Sequence, residues 1–345
     1  MKISHNTLLA PYTSLKVGGP AETLITTETF PETLDAIKSA QDTLWFLGFG
    51  SNSLISDSGL SGSTIMWRGG TVSVDDTIVT ADAGMWWDTV VKTAIDHGLW
   101  GMELMSEIPS SVGGAVYGNI AAYGQQVSDT LEWVEVYDKR SKRIKKLQRD
   151  EMSFTYRASS FQENSDYILL QTCFRLSRTP LHEFKYDTAV AIAQELGLDD
   201  TSLAHRREII IETRQRAGSI YHPDGEYERT AGSFFKNPMV TNEQAEMLAS
   251  FDETGKTLER IQNQSRIHGG DSHRASAAHV LLAAGFKRGQ TWGNVRLHPS
   301  HVLKISTLPG ASAQEVYDVA NEIITTVKEK LSIDLEPEVK FLGKF

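Results

Sequence analysis

A chain of 345 residues is long for one hydrophobic core, so two or three domains are expected. Its 40% hydrophobic and 23% charged residues describe an ordinary soluble globular protein, and no apolar run approaches the ~18 residues of a membrane span. A net charge of −10 argues against nucleic acid as a general partner, and the single cysteine, Cys173, excludes an internal disulfide or a cysteine-based zinc site.

In chain order, residues 1–14 carry Lys2 but lack the apolar centre of a secretory signal, so a cytoplasmic protein is expected. Residues 21–27 alternate as a strand, and Pro31 opens a helix with Leu34, Ile37 and Ala40 on one face. Residues 44–47 read as a buried strand leading into a glycine loop, L-G-F-G-S-N-S (47–53), and residues 63–67 as another short strand. Residues 71–81 are strand-like about a turn at Asp75-Asp76. A helix over 85–97 ends at Gly98 as a C′ residue. Its Trp86 and Trp87 read as core or interface residues, with stacking on a cofactor as the alternative.

Residues 98–124 then hold six glycines in 27 positions, where average usage of about 7% predicts roughly two. Ser110, Ser111, Ala115, Ala121 and Ala122 fill the gaps. So little side chain cannot build core, and glycine backbone can approach a ligand closely and turn N–H groups toward phosphate oxygens. A ligand cradle is the reading, against a tight turn between packed elements. Neither glycine run fits the dinucleotide fingerprint or the P-loop pattern.

Residues 130–138 and 143–147 alternate about a turn at 139–142 and read as a hairpin, and 167–176 is the most apolar strand, with Cys173 as a buried core thiol. Asp187 is expected to cap a helix over 188–196 closed by Gly197, and Thr201 or Ser202 a longer one to about Ala217. Residues 218–231 turn polar and turn-rich, as at a domain junction. Helices follow over 242–250 and 274–284, and Ser312 with Glu315 forms a capping box before Val316, Val319, Ile323 and Val327 at helical spacing.

Three short motifs carry polar chemistry. In A-G-S-F-F-K-N-P (231–238) a serine sits between glycine and two aromatics, on a constrained turn in apolar, water-poor surroundings. It has no G-x-S-x-G context, so a hydroxyl that donates a proton suits it better than a nucleophile; spacing alone leaves it as a cap or turn serine. Phe154-Thr155-Tyr156-Arg157 ends on an arginine that, alone, reads as a surface or salt-bridge residue. In L-E-P-E-V-K (335–340) two carboxylates straddle a proline, so one is expected to be buried and the other solvated.

Together with T-S-L-K-V-G-G-P-A (13–21), L-G-F-G-S-N-S-L (47–54) and I-P-S-S-V-G-G-A-V-Y-G-N-I-A-A-Y-G (108–124), these motifs resemble the UDP-N-acetylenolpyruvoylglucosamine reductase family. S-A-A-H-V-L-L-A-A-G-F-K (276–287) also matches its pattern. Ser110, Gly118 and Ala121 depart from the usual family residues, and so does the stretch 216–223, where a lysine common before P-D or L-D is absent.

The resemblance implies an α+β fold: an FAD-binding fold of the vanillyl-alcohol-oxidase type in two subdomains, 1–68 with 330–345 and 69–217, plus an α+β substrate domain at 218–329. It implies non-covalent FAD, NADPH as co-substrate, and reduction of the enolpyruvyl ether of UDP-N-acetylglucosamine to UDP-N-acetylmuramate by a monomer. Carried over residue by residue, the catalytic group is Ser233 as proton donor, with Arg157 and Glu338 stabilising the reduced intermediate (Glu336 is the fallback for Glu338). The cofactor group is Gly48, Gly50, Ser51, Asn52 and Ser53, with Pro109, Ser111, Gly113, Gly114, Asn119, Ala121, Tyr123 and Gly124. The substrate group is Tyr156, Lys236, Asn237 and, on a tyrosine-bearing insertion, Tyr186. The rival readings are an oxidase on the same flavin fold, which often tethers FAD through His or Cys in its glycine loops, and a flavin-free nucleotide-sugar binding protein.

Overall fold

The computed structural model describes residues 1–164, 166–222, 225, 227–251 and 273–345. It divides into two compact units, one of Met1–Thr7, Ala21–Gly50 and Leu60–Tyr227, the other of Leu8–Pro20, Ser51–Gly59 and Glu228–Phe345.

Two larger sheets, of four and five strands, lie in the first unit. One orders the strands Lys2–Leu8, Pro20–Thr27, Leu60–Trp67 and Leu44–Phe46, with Leu60–Trp67 parallel to both of its neighbours. The helix Phe30–Ser39 begins where Thr29 accepts from Glu32 N–H and Pro31 occupies the first turn. Its Ala36 and Ile37 pack on Ile25, Ile65 and Trp67. The other sheet is antiparallel, in the order Arg143–Gln148, Leu131–Asp138, Tyr167–Arg175, Ile78–Asp82 and Val72–Asp75. Against it lies the helix Trp87–Asp96, whose Trp87 is fully buried edge-on to Phe174 at 5.9 Å. This helix starts later than the spacing predicts, because Trp86 is its extended N-cap; Gly98, at φ +69°, ends it as expected.

The helices Asp187–Leu196 and Leu203–Arg216 bury Ala189, Ile192, Ala193, Ile209 and Ile210 together with Leu104. The first is capped by Tyr186, not Asp187, whose carboxylate instead lies in the first turn, where it suits the helix dipole. Ser202 caps the second by accepting from His205 N–H at 3.1 Å.

The second unit is built on an antiparallel sheet in the order Thr230–Ser233, Lys304–Thr307, Val295–Leu297 and Thr291–Trp292. The helix Ala313–Leu331 has the expected capping box and, in addition, Asp57, whose carboxylate accepts from the N–H groups of Ala313 and Gln314, both at 2.9 Å. The helix expected from residue 274 is Ala277–Ala283, since His273–Arg274 pairs as a strand with Met239–Val240 and Ser276 is the N-cap. Among the described residues no helix is long and apolar enough to cross a membrane, and no His/Cys/Asp/Glu group is arranged to hold a metal ion.

Gly84 is the tightest packing constraint at the join of sheet and helix in the first unit. A Cβ there would lie 2.4–2.6 Å from the Trp67 ring, which is itself 5% exposed and cannot swing away. Gly84→Ala should therefore lower stability by about 1–3 kcal/mol through overpacking, read as a fall in Tm.

Candidate active site

Leu47 leaves its strand with its N–H still bonded to Ile65 O at 3.0 Å. Gly48 then passes so close to the second glycine run that a Cβ would lie 2.9 Å from Ser111 Oγ. The N–H groups of Gly48 and Phe49 donate to no acceptor among the described residues. Gly50 turns the chain at φ +65°, and the Phe49 ring is fixed edge-on against Trp86 at 4.5 Å. Trp86 thus supports the loop, while Trp87 is core.

The second run behaves differently. At its helix start the donors are taken up by the protein: Val112 N–H by Met85 O at 2.9 Å, Gly113 N–H by Ala83 O at 2.8 Å and Gly114 N–H by Ser111 Oγ at 3.1 Å. Ser111 is the N-cap of the helix Val112–Gly118, and a Cβ on Gly113 would come 3.0 Å from Ala83 Cβ. Small residues here permit close packing on the sheet, whereas the first loop keeps the donors of Gly48 and Phe49 open. These features fit a phosphate-bearing cofactor. The first loop offers N–H groups, a Cβ at Gly48 would close the gap between the runs, and neither run contains a His or Cys for a covalent tether.

Four non-glycine residues around the second run take left-handed backbone: Glu107 (φ 57°), Asn119 (φ 42°), Tyr123 (φ 49°) and Arg157 (φ 56°). Such conformations are uncommon away from glycine and gather at functional sites. Asn119, 1% exposed, donates from Nδ2 to Thr155 O at 3.0 Å and accepts at Oδ1 from Ser128 N–H at 3.1 Å. It thereby ties the run to the hairpin Phe154–Thr155 and Ala158–Ser159, whose turn is Tyr156-Arg157. Arg157 Nη1 donates to Ala121 O at 2.8 Å, and its guanidinium sits 5.8 Å from the Tyr156 ring. Tyr123, followed by Gly124 at φ +91°, meets Tyr186 edge-on at 5.2 Å. Tyr186 is half exposed.

Sequence reading overlooked the arginines that hold this region. Arg206 and Glu103, both buried, pair at 3.0 Å, and Arg206 Nη1 also donates to His182 O at 3.0 Å. Arg207 grips Asp88 with two bonds of 2.7 and 2.6 Å. Burial disfavours the Asp88 carboxylate, but the Arg207 guanidinium and the Glu107 N–H outweigh it and hold the carboxyl below its usual range. Burial pushes the Arg214 guanidinium down, opposed by Tyr123, Glu107 and Asp88. Their signal was the near-absence of an apolar stripe around Ile209 and Ile210: the helix buries arginine as well as isoleucine.

In the second unit, Phe234 and Phe235 are 0% and 1% exposed, both turned into the core. Ser233 is exposed, so the water-poor surroundings expected for it are not found; the aromatics flank its backbone without covering its side chain. The C-terminal segment lies against this motif. Lys236 N–H donates to Glu336 O at 2.9 Å and Glu338 N–H to Phe234 O at 2.8 Å, with Phe235 bridged to Pro337 between them. On its other edge, Lys340 N–H donates to Asn52 O at 3.0 Å, Asn52 Nδ2 to Glu338 O at 3.3 Å, and Lys340–Leu342 runs parallel to Ser53–Ile55. Ser233 and Glu338 are thus brought to one place, together with Asn52 and Ser53 of the first glycine loop.

Glu338 is half-buried, whereas the Glu336 side chain is 71% exposed and pairs with Lys236 Nζ at 2.6 Å. Asn237 Oδ1 accepts from Ala277 N–H at 2.9 Å and so holds the start of a helix. Lys340, absent from the expected set, is half-buried beside these groups. Burial pushes its ammonium below the usual range, Lys236 adds to this, and Glu336 and Glu338 oppose it. Pro223 and Asp224, in the stretch that departs from the family pattern, lie outside the described residues.

A family model described as the C-terminal domain of UDP-N-acetylenolpyruvoylglucosamine reductase matches residues 223–342, and one described as an FAD binding domain matches 24–145. The reductase of Thermobifida fusca is 32% identical over 99% of this chain and 98% of its own length. The chain belongs to the UDP-N-acetylenolpyruvoylglucosamine reductase family. A second member of that family, from Streptomyces coelicolor, is 31% identical over 98% of this chain and 90% of its own. The crystal structure of the reductase (MurB) from Thermus caldophilus shares the fold, with a TM-score of 0.66 at 24% identity over 99% of this chain and 98% of that one. The FAD-binding match spans both glycine runs, and the reductase match spans Ser233, Lys236, Asn237 and Glu338. Arg157 and Tyr186 fall between the two.

The different surroundings of the two glutamates predict different losses. Glu338→Gln should lower kcat/KM by about 10²–10³-fold, the usual loss when one stabilising contact to developing charge is removed. Glu336→Gln breaks only an exposed ion pair and should stay within a few-fold of wild type. Gly48→Ala should lower flavin content of the purified protein, read from its visible spectrum against protein concentration.

Proposed function

We propose that this chain reduces the enolpyruvyl ether of UDP-N-acetylglucosamine to UDP-N-acetylmuramate with NADPH, in peptidoglycan precursor synthesis, using FAD held without a covalent bond. The observation that supports it most is the double-edged bonding of residues 336–340, which gathers Ser233, Glu338 and the Asn52-Ser53 end of the first glycine loop. FAD, when bound, accepts hydride from NADPH and supplies hydride to the CH₂ carbon of the substrate alkene.

The chain's own residues manage charge and protons. Hydride addition pushes a second negative charge toward the substrate carboxylate. Arg157 is given the task of stabilising that charge; its guanidinium is pre-set by the Ala121 carbonyl and by the left-handed turn, so little reorganisation is needed. Glu338 hydrogen-bonds the same charged species. Ser233 delivers the proton that completes the saturated carbon, a task open to a weak acid because the carbanion is strongly basic.

Gly48, Gly50, Ser51, Asn52 and Ser53 are assigned to the cofactor, with Pro109, Ser111, Gly113, Gly114, Asn119, Ala121, Tyr123 and Gly124. Within that set, the hydrogen bonds of Ser111 and Asn119 favour shaping the cradle over touching the ligand. Tyr156, Tyr186, Lys236 and Asn237 are assigned to the sugar nucleotide, with Tyr186 on the insertion that closes over it. Residues 1–68 with 330–345 and 69–217 are assigned to the flavin, and 218–329 to the substrate. The enzyme is assigned as a monomer in a cytoplasmic setting.

Ser233→Ala should separate the two halves of the cycle. Flavin reduction by NADPH needs no proton from Ser233 and should stay within a few-fold of wild type. Re-oxidation by the enolpyruvyl substrate should slow by about 10²–10⁴-fold, the usual contribution of a positioned proton donor. Stopped-flow absorbance at the flavin band follows each half; equal slowing of both would mean that Ser233 serves the fold or the flavin instead.

A further inference from the structure

The strand Thr230–Ser233 runs antiparallel to Lys304–Thr307, with Thr230 opposite Ser306 and Ser233 opposite Lys304. Three steps along one strand therefore match two along the other, which is a β-bulge. Gly232 takes the extra position at φ +75°, and a Cβ added there would meet nothing within 4 Å, so the need for glycine is conformational. Without the bulge, Gly232 would stand opposite Lys304. With it, Ser233 does. Bulges recur beside active sites because they re-aim a side chain in this way.

Lys304 is 3% exposed, although lysine is among the residues least often buried. Directly opposed residues share one face of a sheet, with Cβ atoms about 4.5–5.5 Å apart, within reach of a lysine side chain. The backbone around it is pinned, since His298 N–H donates to Lys304 O at 2.8 Å and Lys304 N–H to His301 O at 3.0 Å. Burial pushes both of these imidazoles toward their neutral forms, and the Lys304 charge adds to that, against Glu228 beside His298.

We propose that Lys304 is a positioning residue for Ser233, placed by the Gly232 bulge to supply positive charge as the serine gives up its proton. The proposal rests on the reading of Ser233 as proton donor. When the Oγ–H bond breaks and the new C–H bond forms, the O–H electron pair stays on Oγ as an alkoxide. An ammonium across the strand stabilises that alkoxide. Lys304 then returns a proton to Oγ and takes one from solvent, so the net change is one solvent proton delivered to carbon.

The test uses the FAD-loaded enzyme and stopped-flow measurement of both half-reactions. An opposite charge within ~4–6 Å shifts a pKa by about 1–3 units, so Lys304→Met should slow re-oxidation by about 10–100-fold. Flavin reduction by NADPH should stay within a few-fold of wild type. The solvent deuterium isotope effect on re-oxidation should rise, which a merely structural loss would not produce. Lys304→Arg, which keeps the cation, should recover most of the rate. In a Ser233→Ala background Lys304→Met should cause no further slowing, since the lysine acts through the serine.

Equal slowing of both halves, additive slowing in the double variant, or weakened substrate binding with an unchanged limiting rate would each overturn the proposal. If Lys304→Met does not hold FAD, Lys304→Gln and Lys304→Arg give the same comparison. If Ser233→Ala alone leaves re-oxidation unaffected, the reading of Ser233 fails first and the role of Lys304 falls with it.

Discussion

The C-terminal segment is hydrogen-bonded along both of its edges, and the chemistry of the second unit depends on that arrangement. One edge meets Phe234 and Lys236, the other Asn52 and the strand Ser53–Ile55. Backbone bonds on two sides leave the segment one register, and a shift by a single residue would turn Glu338 away and bring Pro337 or Val339 into its place. Proline at 337 suits the position, since the neighbouring N–H groups of Glu338 and Lys236 make the bonds and Pro337 has none to give.

This arrangement sets the local electrostatics. A chain of net charge −10 places Lys236 and Lys340 beside its serine motif, together with Glu336 and Glu338. Lys236 disfavours the charge on Lys340, a cost that an anionic ligand relieves. A cluster of this kind binds anions locally without making the whole surface attractive to nucleic acid.

Much of the fold was legible because its signals are local. The Ser312 capping box, Gly98 and Gly197 at helix ends, and the hairpin about residues 139–142 each fall within a few residues of sequence, and all are present. What was not legible is non-local. Asp57 caps a helix that starts at residue 313, Arg206 finds Glu103, and Asn52 meets Glu338; no pattern in the sequence marks such pairs. The glycine runs were legible as unusual backbone but not in their division of labour. Whether an N–H is left open or bonded to Ala83 depends on what packs behind it. The Gly232 bulge was hidden for a related reason, since it exists only relative to its partner strand. The family motif, in contrast, singled out Ser233 and Glu338 from residue order alone.

In the proposed cycle one chain carries a flavin reduced by NADPH and re-oxidised by an enolpyruvyl sugar nucleotide. Anaerobic titration of the purified protein tests it most directly. The visible flavin band should bleach on addition of NADPH and return on addition of the enolpyruvyl ether of UDP-N-acetylglucosamine, one equivalent of substrate restoring one of oxidised flavin. A band that stays bleached in the presence of substrate, or a protein that takes up no FAD, would contradict the account.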